Sequence, residues 1–183
     1  MTPSINVLRL TPQSATQYRE LMLEAYTLHP EAFTSSAAER AALPLTWWET
    51  RLQTTNGPGD VIFGAWDGET LVGVVGLSLE SRAKARHKVT LMGMYVKEHC
   101  RGCGLGSLLV TTALQFLDTR PDVNVVQLTV TQGNTAAQAL YERFGFVQFG
   151  IEPMAVAVAG GYVAKVHMWR TTGSAASTGQ TGL

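Results

Sequence analysis

The stretch from Lys88 to Leu117 reads KVTLMGMYVK EHCRGCGLGS LLVTTALQFL, and its reading decides the fold. Val89 to Val96 is an apolar run that predicts a strand, and its near-continuous hydrophobicity predicts a central position buried on both faces. Gly102, Gly104 and Gly106 then punctuate the chain, and a helical pattern follows with Leu105, Leu108, Leu109, Ala113, Phe116 and Leu117 on its core face. A strand that turns through glycines into a helix makes an anion site. The first amides of the helix have no partner in the chain, the positive end of the macrodipole lies there, and glycine lets a phosphate approach the backbone.

Working outward, Ile5 to Leu10 alternates as a short strand, and Pro12 to Leu28 carries Ala15, Tyr18, Leu21, Met22, Ala25 and Leu28 at helical spacing, ended by His29-Pro30. Glu31 to Leu43 reads as a loop with room for a further helical turn, and Pro44 to Leu52 as a second helix with proline in its first turn. A break at Asn56 to Gly59 precedes two strands, Val61 to Trp66 and Leu71 to Leu79, joined at Asp67-Gly68. Beyond the central stretch come a β-branched strand from Val123 to Val130 and a helix carrying Ala137, Leu140, Tyr141 and Phe144, with Asn134 as its N-cap and Gly145 as its stop. Phe146 to Val158 and Tyr162 to Trp169 form a closing hairpin around Gly160-Gly161. This order predicts an α+β fold: a largely antiparallel sheet of about seven strands with helices on both faces. Its one parallel pair joins the strands on either side of the glycine loop and its helix.

The 183 residues fit a single domain over residues 1–172, with a flexible tail from Gly173 to Leu183. Fourteen basic and fourteen acidic side chains cancel, so the composition gives no footprint for nucleic acid or an anionic membrane surface. No apolar run is long enough to span a bilayer, and the amino terminus lacks the regions of a signal peptide, so a cytoplasmic protein is expected. Two cysteines, Cys100 and Cys103, are too few for a disulfide framework, and no metal site is expected.

Three chemistries compete for a strand, glycine loop and helix. A P-loop needs lysine followed by serine or threonine after its last glycine, whereas this loop ends Leu105-Gly106-Ser107. A dinucleotide loop needs Gly-x-Gly-x-x-Gly, and Gly102, Gly104 and Gly106 are spaced Gly-x-Gly-x-Gly. Cys100-Arg101-Gly102-Cys103 has redox spacing, but its flanks lack the aromatic or proline pattern of thioredoxin.

Met94-Tyr95-Val96, four spacer residues and then Arg101-Gly102-Cys103-Gly104-Leu105-Gly106-Ser107 resemble the acyl-CoA signature of the GNAT superfamily of N-acetyltransferases. Asn134 to Phe146 is similar to the second signature of that family, in the same order and at the same spacing. The resemblance implies an acetyl-CoA-dependent N-acetyltransferase that acts by direct attack of a primary amine in a ternary complex. The amine belongs to a small molecule or to a protein N-terminus or lysine. The pyrophosphate is then expected on the amides of Arg101, Gly102, Cys103, Gly104, Leu105, Gly106 and Ser107, and the pantetheine along the backbone of Met94, Tyr95 and Val96 where the strand splays from its neighbour. Asn134 is either a cofactor contact or a helix cap. Tyr141 falls where the family places a tyrosine near the thioester sulfur, a position from which a phenol can protonate the leaving thiolate.

The resemblance leaves the base open, because no acid stands between Lys88 and Val96. Glu31 and Glu80 are the leading candidates, with Glu152 and His167 behind them. The alternative is a CoA-binding regulatory or sensor domain without catalysis. The loop from His29 to Leu43, Trp47, Trp48 and the last hairpin are expected to shape the acceptor site, and the last strands could join two copies in a homodimer.

Overall fold

The computed structural model describes residues 5–53 and 59–173, so the break at residues 56–58 and the tail beyond Gly173 lie outside the described residues. Seven strands form one sheet in the order β1-β2-β3-β4-β5-β7-β6. They are β1 Ile5–Arg9, β2 Gly59–Asp67, β3 Thr70–Leu79, β4 Lys88–Val96, β5 Val125–Thr131, β6 Val147–Val158 and β7 Gly161–Thr171. Neighbours are antiparallel except β4 and β5, which run parallel as the crossover between them requires.

Helices cover both faces. On one, α1 (Ala15–Leu28) and α3 (Leu45–Arg51) bury Tyr18, Leu21, Met22, Ala25 and Trp48 against Ile62, Leu71 and Val74. On the other, α4 (Leu105–Asp118) buries Leu105, Leu109, Val110, Ala113 and Leu117 against Val61, Phe63, Val75 and Leu77. Each such aliphatic side chain contributes about 1.5–3 kcal/mol by leaving water, so these two layers hold the sheet. Two shorter helices complete the molecule, α2 (Ala37–Ala41) and α5 (Thr135–Arg143).

Three sequence expectations change in detail. Leu108 is 41% exposed and Val110 takes its place in the core; the run LLV is apolar throughout, so periodicity alone could not fix the phase of α4. Pro44 is the N-cap of α3 rather than part of its first turn. Of the paired tryptophans only Trp48 is buried, and the half-buried Trp47 meets it edge-on at 5.1 Å.

The largest correction concerns β4, which is not buried on both faces. Val89, Leu91 and Tyr95 are buried, while Thr90, Met92, Gly93, Met94 and Val96 are only half-buried. The cause is a bulge. Gly76 on β3 pairs with Met92 and Val74 with Tyr95, so two steps on β3 face three on β4. Gly93 takes the extra step at φ 62°, a left-handed conformation that side chains resist. Pairing with β5 stops at Thr90↔Gln127, so beyond that point β4 and β5 part and open the sheet.

Candidate active site

The parting of β4 from β5 leaves a cleft of about 720 Å3 between the end of β4, the glycine loop and α5. Gly102 and Gly104 both have positive φ, 77° and 83°, and an added Cβ at either would stand in open space, so the loop presents bare backbone. Gly106 does a different job: an added Cβ there would meet Leu140 Cδ2 and Met94 Cε at 3.4 Å, so a bare backbone lets α4 lie close to α5. Gly104 is the N-cap of α4, and the first helical bond runs from the Leu108 amide to its carbonyl at 3.0 Å. The amides ahead of Leu108 in that turn have no carbonyl four residues back, which is the donor set an anion needs.

Arg101 does not point its charge into the loop. Its Nε donates to the Val96 carbonyl at 3.0 Å, its Nη2 lies 3.0 Å from His29 Nε2, and its guanidinium sits 5.7 Å from the centre of the Tyr95 ring. The Val96 carbonyl, expected to be free, is therefore engaged, whereas Met94 has no partner in either strand register. The Tyr95 phenol turns away to donate to Glu24 Oε1 at 2.8 Å, and burial together with that bond pushes it up to about 12. Cys103 Sγ donates to the Cys100 carbonyl at 2.7 Å, and burial pushes the Cys100 thiol up. Cys100 is thereby a poor candidate for the thiolate that redox chemistry requires.

Helix α5 divides its surface between two spaces. Ala136, Ala139, Leu140 and Arg143 face the cleft, and Tyr141 faces a second cavity, of about 340 Å3, beneath α1 and α2. Asn134 and Ala137 border both, as do Met94, Ala32 and Phe33, so the two spaces meet along these residues. Asn134 caps α5, its Oδ1 accepting from the Ala137 amide at 3.1 Å. Tyr141 is 5% exposed, its ring 5.8 Å from that of Phe146, and burial raises its phenol well above the ordinary value, so it is a protonated donor throughout the neutral range.

The candidate bases scatter. Glu31 borders the cleft with His29 Nδ1 3.7 Å from its carboxylate. Glu80 lies in a separate cavity that shares only Thr90 with the second space. The Arg82 guanidinium clasps its carboxylate and holds it at about 2, too acidic to take a proton from an amine. Glu152 is paired with His167 Nε2 at 2.9 Å across β6 and β7.

Sequence reading missed Lys165 and Arg40. Lys165 is 5% exposed on β7, and its ammonium donates to the Glu31 and Ala32 carbonyls, both at 3.0 Å, and to Thr131 Oγ1 at 2.8 Å. Burial pushes that ammonium down, and the three bonds tie the Pro30–Ala32 turn to the sheet. Nothing in the alternation of β7 marks this lysine as buried. Arg40 sits on α2, whose start was legible as Ser36-Ala37-Ala38-Glu39, a capping box that the structure forms in full.

The profile of the Acetyltransferase (GNAT) family matches residues 18–146. A 62-residue stretch, 34% of this chain, is 40% identical to the mycothiol acetyltransferase of Salinispora arenicola and covers 20% of that protein's length. Among solved structures, an acetyltransferase of the GNAT family from Streptococcus pneumoniae superposes with a TM-score of 0.83 at 21% identity, over 93% of this chain and 100% of that one. The putative acetyltransferase yncA from Salmonella typhimurium, solved with its cofactor acetyl-CoA, gives 0.75 at 17% identity over 98% and 97%. The fold expected from the glycine loop and its flanking strands is the fold these proteins share, and the chain belongs to the GNAT acetyltransferase family.

Proposed function

We propose that this protein transfers the acetyl group of acetyl-CoA to a primary amine within a ternary complex. The observation that carries the reading is the junction of two spaces along Met94, Asn134 and Ala137, one floored by bare loop backbone and the other by side chains. The cleft takes the CoA arm: loop amides from Gly102 to Ser107 receive the pyrophosphate, and the unpaired backbone at Met94 receives a pantetheine amide. The second cavity takes the amine. Its nitrogen, neutral after losing a proton to solvent, forms the C–N bond as the C–S bond breaks, and Tyr141 gives its phenolic proton to the departing sulfur. The phenol recovers a proton from the amine nitrogen through solvent. The use of acetyl-CoA, an intracellular metabolite, places the reaction in the cytoplasm.

The test is calorimetric titration with acetyl-CoA followed by an amine panel monitored for free thiol and product mass. Binding in the micromolar range with amine-dependent thiol release is expected; no binding at millimolar acetyl-CoA overturns the reading. One observation favours the second reading, a CoA-binding regulatory domain: no carboxylate or histidine lines the inner cavity among the described residues. Tight binding without acetylation of any amine would select it. A homodimer is supported by β6, a twelve-residue edge strand with Val147, Phe149 and Ile151 exposed. Sedimentation of the wild type against Phe149→Asp reads this out, with a monomeric wild type as the contrary result.

A further inference from the structure

The inner cavity carries a charge pattern that composition conceals. Its charged lining consists of Arg40, Arg51 and Lys165, with no acid among the described residues. Two of these cations are already matched. Lys165 directs its ammonium at three oxygens, and Arg51 Nε lies 3.1 Å from Asp60 Oδ2 while its Nη2 donates to Met92 Sδ at 3.3 Å.

Arg40 has no carboxylate within ion-pair distance among the described residues. Its neighbour Glu39 is committed to the cap, where its Oε2 accepts from both the amide and the hydroxyl of Ser36 at 2.8 Å. The guanidinium is nonetheless held in place: it lies 4.7 Å from the centre of the Trp47 ring, and its Nη2 donates to Ser35 Oγ at 2.8 Å. Its Nε, like that of Arg51, is buried without a hydrogen-bond partner, but Arg51 Nε has the Asp60 carboxylate at 3.1 Å and Arg40 Nε has no such counter-charge among the described residues. A buried, charge-bearing donor left without an acceptor is costly, and a fixed planar fork is matched by a carboxylate.

We infer that Arg40 receives the carboxylate of the acceptor, so that the acceptor class is an amine bearing a single negative charge, an amino acid or a close analogue. This rests on the acetyl-transfer reading above. With Arg51 beside the Asp60 carboxylate and the Lys165 N–H groups spent on three oxygens, Arg40 is the cavity cation with donor capacity left, which fits one carboxylate. Tyr26 and Phe33, edge to face at 4.9 Å, line the cavity with Met92 alongside Thr90, Thr129 and Thr131, so an apolar side chain on the acceptor has surface to pack against. Polyamines are disfavoured, because the cavity would set their second ammonium beside cations.

The experiment uses the full-length protein and matched probes: leucine, phenylalanine and alanine, each as amino acid, as amide and as the decarboxylated amine. Binding to the CoA complex and steady-state acetylation are both measured. The amino acid form of at least one set is expected to exceed its amide and amine by about tenfold or more in affinity and in kcat/KM. Arg40→Gln removes that preference through KM with kcat little changed, and Arg40→Lys retains part of it. Amides or amines that equal the amino acids in the wild type overturn the inference, and that comparison needs no variant to fold; so does a preference that survives Arg40→Gln. Acetyl-CoA binding to the same samples separates the two readings. Failure to bind acetyl-CoA removes both, whereas binding without carboxylate preference removes only this one.

Discussion

The cleft and the inner cavity adjoin, yet they are built from different materials. The cleft is floored by consecutive backbone, the glycine loop and the first turn of α4, with the end of β4 beside it and side chains of α5 and of the turn after α1 as its walls. The cavity is made by side chains from α1, α2, α3, β4, β5, α5 and β7, brought together only by folding. Backbone sites recognise what is common to a cofactor; side-chain sites recognise what is particular to an acceptor. On the proposed function, this division lets the cofactor contacts stay fixed while the acceptor contacts vary.

Substitutions can break or sharpen this contrast. The largest effect is expected at the boundary: Tyr141→Phe should lower kcat by about 100-fold or more while acetyl-CoA affinity, read by calorimetry, stays within twofold. Unchanged turnover would confine Tyr141 to packing. Next, Lys165→Met leaves the Ala32 carbonyl and the Thr131 hydroxyl oxygen without their buried donor, while the Glu31 carbonyl keeps the Thr131 hydroxyl, and should cost about 2 kcal/mol in urea unfolding. If the cleft depends on backbone alone, acetyl-CoA affinity in that variant should fall less than stability does.

Gly104→Val places a β-branched residue at φ 83° and should weaken acetyl-CoA about tenfold, with the acceptor KM nearly constant once the cofactor saturates. The smallest effect is at Glu80. Its carboxylate is held at about 2 in the folded chain, below its unfolded value, so its contribution to stability is complete above the ordinary carboxylate range and is lost as pH falls from there toward 2. Glu80→Gln should flatten acid unfolding in that window and leave acetylation within twofold, whereas a large loss of turnover would return Glu80 to the site.

The same contrast accounts for what the amino-acid sequence disclosed. The order of elements along the chain, the parallel pair, the cap at Asn134 and the glycine loop were legible because each rests on local pattern or on turn chemistry. Glu31 was expected to border the acceptor site, but the short turn that follows α1 sets it beside the cleft instead. Arg40 and Lys165 were invisible for the opposite reason: a cation's isolation depends on which acids fail to reach it, and Lys165 meets its partners 134, 133 and 34 residues away. The bulge had left a trace, a glycine inside an apolar strand, but only the register against β3 shows which way the strand turns.

That extra residue also sets the frame in which the pleat is read. Ahead of Gly93 the odd-numbered Val89 and Leu91 belong to the α4 side and Met92 to the α1 side. After it the parity inverts, with Met94 and Val96 on the α4 side and Tyr95 on the α1 side. Deleting Gly93 would act as a frameshift in space, carrying the Tyr95 phenol away from Glu24 and Met94 away from Gly106 without altering any other letter. On the proposed function, the alignment of cofactor with acceptor thus hangs on a count of residues, and β4 should tolerate exchange of its side chains far better than a change in its length.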